Sequence, residues 1–318
     1  MVIERPLKTI LDRDVSLGHI NEHFIDQVHL LRELVNYGTN LIVRCFISSD
    51  RQLTDMIVLG NLLKQVVAML DAVEILITNG AVHAAYLPAR TLWEATLYME
   101  WILKEDSDFR SKIYYVSNIR RHKQWQMRGI KGSDEYNSFY KKMGDIGATV
   151  EEIPPDVEKQ LRRELKDIDR LLDGDEYKKI NDRFNELKRG KRDAKWYKQS
   201  GVNNIWELAS KLGREPEYEI FYRYGSEISH SSSYKKHMKI SKSGDKQEIS
   251  FIPIRHLEDV DQVLTFVISF TLVSYRKTLE FYRSGEVASF NRKYKSEWRD
   301  AFLNIKKVHY SPEKIQLP

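Results

Sequence analysis

The chain has 318 residues, of which 42% are apolar and 31% charged, with 51 Lys and Arg against 46 Asp and Glu for a formal net charge of +5. This balance excludes a disordered chain, allows one large domain or two ordinary ones, and permits a nucleic-acid partner without requiring one. The single cysteine, Cys45, excludes a disulfide framework and a cysteine-based zinc site and suits a reducing, cytoplasmic setting.

Only 15 glycines and 8 prolines are present, which favours long helices over a turn-rich sheet fold. The N-terminus, MVIERPLKTILDRD, carries charges where a secretory signal needs an apolar run. Residues 17–47 place Ile20, Phe24, Val28, Leu31 and Val35 at three-to-four spacing, predicting an amphipathic helix. Residues 56–77 repeat the pattern through Leu59, Leu63, Val66, Leu70, Val73 and Ile77, and Asn79-Gly80 signals a stop. A third helix is expected over 81–103, starting near Leu87 or kinked at Pro88. Three such helices with short connections describe an up-down bundle.

From 107 to 196 the chain is densely charged, with few large apolar residues per turn. It reads as a charged helical insertion with solvated faces rather than a second core, inside a single all-helical domain spanning 1–318. Core-like helices return over 205–212 and 216–232. Residues 238–253 form two short segments about Ser-Gly-Asp, the signal of a small β-hairpin. A helix follows over 255–282, and a charged one over 287–307. The most apolar stretch, 260–275, contains Asp261 and is flanked by Glu258, Asp259 and Arg276; it is short for a membrane span and reads as a core helix. No membrane partner is expected.

The stretch YRYGSEISHSS, from Tyr222 to Ser232, concentrates polar chemistry in one expected helix. Tyr222, Ser226 and His230 recur every four residues and share a face. Arg223 precedes His230 by seven residues, about 20° short of two turns and roughly 10 Å along the axis, with Glu227 between them. Gly225 is a poor helix former and marks the close approach of another helix. A second pair, Arg90 and Glu94, sits in the third helix with apolar residues on nearly all sides. Such charges are at least partly buried and need partners, and the 222–230 stripe is the obvious source.

R-T-L-W-E at 90–94, K-W-Y at 195–197 and Y-R-x-x-S-x-x-x-H at 222–230 together resemble the prokaryotic domain-of-unknown-function family numbered 5677, over about Gln52 to His230. Arg223-x6-His230 also resembles the Arg-x4-6-His signature of the HEPN superfamily, all-helical proteins common among bacterial toxins and phage-defence nucleases. That resemblance implies a HEPN-like bundle and a metal-independent endoribonuclease site shared by the protomers of a homodimer. Arg223 would then hold the phosphate. His230 would act as acid or base, with Glu227 beside it, and Ser226, Tyr222, Arg90 and Glu94 would orient the pair. Histidine exchanges protons near neutral pH, and arginine matches the charge of a phosphorane. The chain departs from the pattern at Tyr224, where those nucleases often carry a small polar residue. A second reading stays open: the same polar residues form a core network that fixes helix packing, and the domain is non-catalytic.

LKRGKRDAKWYKQ, at 187–199, holds Lys188, Arg189, Lys191, Arg192, Lys195 and Lys198 beside Trp196 and Tyr197. Cations suit a phosphate backbone and rings can stack on unpaired bases, so the insertion is a candidate RNA-binding or partner-protein surface, with an antitoxin-like protein among the options. IRRHKQWQMRGIKG, at 119–132, is a looser cluster of the same kind. His19 and His23 are four apart but lack a third ligand, so no metal is expected. No phosphate-binding glycine loop, nucleophile elbow or dinucleotide fingerprint appears, and no cofactor is expected.

Overall fold

The computed structural model describes residues 11, 13–188, 193–232, 237–243 and 246–308. The chain is all-α but for one short ribbon among the described residues. It divides into two compact units: Met1–Trp101 with Ala209–Pro318, and the continuous stretch Ile102–Leu208.

In the first unit, α1 (Arg13–Ser48) buries Ile20, Phe24, Val28, Leu31, Leu34 and Leu41 along one face, bending at Phe24. The face runs through Leu34 rather than the expected Val35, which is half-buried. A wide π turn (Leu53–Leu59) leads into α2 (Gly60–Thr78). The Asp55 carbonyl accepts from both the Gly60 N–H and the Tyr282 hydroxyl, which fixes the wide turn. Asn79 ends α2 and Gly80 follows at φ +70°, a conformation glycine adopts without strain. α3 (Val82–Lys104) runs through Pro88.

After the second unit the chain re-enters through α8 (Ile205–Lys211). The helix expected over 216–232 is broken into one turn, α9 (Glu215–Glu217), a π turn (Tyr218–Tyr222) and α10 (Arg223–Ser229). Arg214 anchors this run, donating from Nε and Nη2 to the two Glu100 oxygens at 3.0 and 2.9 Å and from Nη1 to Glu217 at 2.8 Å. Strands β1 (Met238–Ser243) and β2 (Lys246–Phe251) pair antiparallel, Met238 opposite Phe251; residues 244 and 245 between them lie outside the described residues.

α11 (Val260–Tyr282) is a buried core helix that packs on α1 and α2. Its link to α3 is partly polar: Thr96 and Ser274 share a hydrogen bond of 2.8 Å, and the Tyr86 hydroxyl reaches Gln262 at 2.5 Å. Among the described residues, Leu53–Thr78 is the one helical segment long and apolar enough to cross a membrane by length and composition, and its Leu62, Leu63, Val66, Leu70, Val73 and Ile77 are buried in this unit. α12 (Val287–Lys293), a π turn (Tyr294–Trp298) and α13 (Arg299–Leu303) close the described chain, where one charged helix was expected.

The second unit corrects the expectation of an insertion without a core. α4 (Ser107–Gln126), α5 (Asp134–Asp145), α6 (Pro155–Asp173), α7 (Lys178–Leu187) and a 3-10 turn (Trp196–Ser200) bury Ile113, Val116, Leu172, Ile180, Phe184 and Trp196. At the centre Asp193 accepts two hydrogen bonds from Arg120, both 2.8 Å, and Arg120 also donates to Asn181. The charge density that disguised this core is spread over the outer faces of the same helices.

The tightest helix crossing generates a test. A Cβ on Gly38 would lie 2.0 Å from the Tyr275 hydroxyl and 2.6 Å from Val67 Cγ2, whereas one on Gly18 in the same helix meets nothing within 4 Å. Gly38→Ala is expected to lose at least about 2 kcal/mol by overpacking, and Gly18→Ala to gain roughly 0.5–1 kcal/mol from helix propensity. Chemical denaturation of the two variants reads opposite signs.

Candidate functional site

The polar residues singled out in the sequence separate into an interior half and a solvent half. The interior half is built around Arg90. Its Nη1 donates to Ser229 Oγ and its Nη2 to the Tyr222 hydroxyl, both at 2.8 Å, and Nη2 lies 3.3 Å from Glu94 Oε1. The guanidinium carbon also stands 4.5 Å from the centre of the Tyr222 ring. Glycine makes this possible. A Cβ on Gly225 would come within 3.3 Å of Arg90 Cβ and 3.4 Å of Arg90 Cδ, so any side chain there would crowd Arg90 by a few tenths of an ångström, and the bare backbone lets α10 lie against α3 without that strain. Tyr222 is further held by Trp93 and by a stacked Tyr218 ring, at 4.8 and 5.1 Å between centroids. Burial, and then the Glu94 charge, push the Tyr222 phenol above its ordinary range, with Arg90 opposing.

The solvent half holds Arg223, Glu227 and His230. Arg223 is 64% exposed along its side chain and donates to Glu219 at 2.7 Å. His230 is exposed at the C-terminal cap of α10, where its N–H bonds the Ser226 carbonyl at 3.1 Å, and its side chain makes no hydrogen bond among the described residues. Ser226 and Glu227 stabilise this helix end through their backbone carbonyls: Glu227 accepts from the N–H and hydroxyl of Ser232. Tyr224, the departure from the nuclease pattern, packs edge-on against Tyr86 at 4.6 Å, and burial and then Asp259 raise its phenol pKa. It is a packing residue.

Ser229 was missed by counting fours from Tyr222. Ser229 lies seven after Tyr222, two turns of an ordinary helix and so in nearly the same direction, and it meets Arg90, while no hydrogen bond joins Ser226 to Arg90.

The basic cluster needs correction. Trp196 and Tyr197 are 4% and 6% exposed, and Trp196 packs edge-on against Tyr114 at 5.3 Å. They belong to the core of the second unit and cannot stack on a base as they stand. Lys188 and Lys195 are exposed and Lys198 is half-buried; Arg189, Lys191 and Arg192 lie outside the described residues. Among the described residues there is no group of three or more His, Cys, Asp or Glu able to hold a metal ion.

Residues 56–247 match a family of unknown function (DUF5677). The matched span contains both halves of the site and runs past His230, where the resemblance was expected to end, into the ribbon. No curated protein and no solved structure matches the chain.

The two halves should respond differently to truncation. Arg90→Ala leaves Glu94 and Tyr222 without their donor and should cost about 2–4 kcal/mol, while Arg223→Ala and His230→Ala should stay within about 0.5 kcal/mol of wild type. Tyr222→Phe should cost about 1 kcal/mol at neutral pH. Because the folded state raises this phenol above its ordinary value of 10.0, its stabilisation is full below that pH and lost as pH rises through the folded value. The stability gap between wild type and Tyr222→Phe should therefore narrow above pH 10, measured by urea unfolding across that range.

Proposed function

The chain belongs to a family of unknown function (DUF5677), and we propose that it is a HEPN-like, metal-independent endoribonuclease acting as a homodimer, with Arg223 and His230 as the catalytic pair. One observation carries this reading. Arg223 and His230 are both open to solvent on α10, while the Arg90 network beneath holds that helix in place.

The chemistry then runs through groups on this chain. A neutral His230 takes the proton of a ribose 2′-hydroxyl, and the 2′-oxygen attacks the adjacent phosphorus. The bond to the 5′-oxygen breaks, and a protonated His230 of the partner subunit supplies that oxygen with its proton. The products are a 2′,3′-cyclic phosphate and a free 5′-hydroxyl. Arg223 exchanges Glu219 for the phosphate oxygens and offsets the charge that builds on them. Arg90, Glu94, Tyr222 and Ser229 are positioning residues. Lys188, Lys195 and Lys198 offer phosphate contacts on the second unit, in place of base stacking by Trp196 and Tyr197. A toxin or defence role in the cytoplasm, restrained by a partner protein, follows from the same resemblance.

Purified protein incubated with RNA in EDTA should yield fragments with cyclic phosphate ends. His230→Ala and Arg223→Ala should each lose at least about 10²-fold in rate, with melting temperatures unchanged. Absence of cleavage by wild type across structured and single-stranded RNA, or cleavage retained in both variants, overturns the proposal.

A further inference from the structure

The second unit keeps Trp196 and Tyr197 in its core, but another ring of that unit stands in water. Trp125, in the last turn of α4, is 62% exposed. The Arg128 guanidinium lies over it, 4.1 Å from the ring centre, and is 5.8 Å from the centre of the Phe139 ring on α5. Arg128 thus bridges an exposed indole and a half-buried phenyl. Beside it, Arg128, Ser138, Phe139, Lys142 and Met143 line a half-open groove of about 460 Å³, where two cations stand against one carboxylate, Glu135.

Two features separate this face from an ordinary charged surface. The first is that α5 buries none of its residues, so the rings of Tyr136, Phe139 and Tyr140 are left half-buried along it. The second is that its cations are available. Elsewhere in the 119–132 segment Arg120 and Lys123 are taken by Asp193 and Asp169, and Lys131 lies 3.7 Å from Glu152. Arg121, Arg128 and Lys142 make no ion pair among the described residues. Arg121 is four residues before Trp125 on α4, so it shares the face of the exposed ring.

We propose that this face binds single-stranded RNA, one base stacking on Trp125, a neighbouring base seated in the groove against Phe139 and Met143, and the phosphates between them meeting Arg128 and Lys142. An aromatic face takes any unpaired base, and unpaired cations follow the backbone that links the bases. A duplex keeps its bases stacked on each other and offers none to the ring. A protein partner fits less well, because the centre of such an interface is depleted of lysine. The choice of RNA rests on the ribonuclease reading, but the binding itself needs no cleavage and uses neither Arg223 nor His230.

The test is fluorescence anisotropy of full-length protein with a short, labelled 2′-O-methyl RNA, which has no free 2′-hydroxyl and is not cut by attack of that oxygen. Trp125→Ala should raise Kd at least about fivefold, and Trp125→Phe should restore most of the affinity. Lys142→Glu should weaken binding and flatten its dependence on salt. Both side chains are exposed, so all three variants should melt as wild type does. The same strand in a duplex should bind more weakly. No binding by wild type, equal affinity for the duplex, or binding untouched by Trp125→Ala and Lys142→Glu overturns the proposal, and the first result leaves this face to a protein partner. RNA that binds here yet survives intact in its 2′-hydroxyl form sinks the ribonuclease reading and leaves the binding site standing.

Discussion

A guanidinium placed between helices has to be given partners, and in this protein that need organises a large part of the first unit. Arg90 stands on a helix that is apolar almost all round. Its charge is met by Glu94 four residues on, by the Tyr222 hydroxyl and ring face, and by Ser229. Each partner restricts the geometry of the others. Glu94 must share the α3 face, Tyr222 must come from the π turn, and Ser229 must come from the end of α10. The missing side chain of Gly225 lets the two helices close to the necessary distance. Without Glu94, the half-buried guanidinium would keep only two neutral hydroxyls as partners, which costs more than losing an average contact.

Much of the fold was legible because long helices announce themselves. The three-to-four spacing of apolar residues located α1, α2, α3 and α11, and the Asn-Gly stop at 79–80 ends α2. The pairing of Arg90 with the later stripe could be argued from the cost of burying charge. What periodicity could not give was local irregularity. An ideal helix over 216–232 puts Tyr222, Ser226 and His230 on one face. The i, i+7 step through α10 brings Ser229, itself exposed, to Arg90, while His230 sits at the cap in water. Widened turns have no strong sequence signal, since they depend on which distant group claims a carbonyl, as Tyr282 does for Asp55.

The second unit shows a different limit. A window rich in Lys, Arg, Asp and Glu reads as solvated surface, yet its sparse apolar residues converge from several helices. Trp196 and Tyr197 illustrate the ambiguity of an aromatic among cations: the same dipeptide can stack on a base or fill a core. Here the core has them, and the adjacent Asp193 is turned inward to Arg120. Composition over a window averages the two faces of a helix and hides such a core.

The interrupted chain path of the first unit carries a consequence for biosynthesis. Its partners are far apart along the sequence: Thr96 meets Ser274, and Arg90 meets Ser229. The stretch Ile102–Leu208 is continuous and has its own core, so it can fold from the ribosome as soon as it has emerged. α1, α2 and most of α3 are made earlier; α1 and α2 can pack on each other, but the faces they turn to α11 have to wait for it. The nascent protein thus passes through an interval in which its middle is folded and its beginning is not.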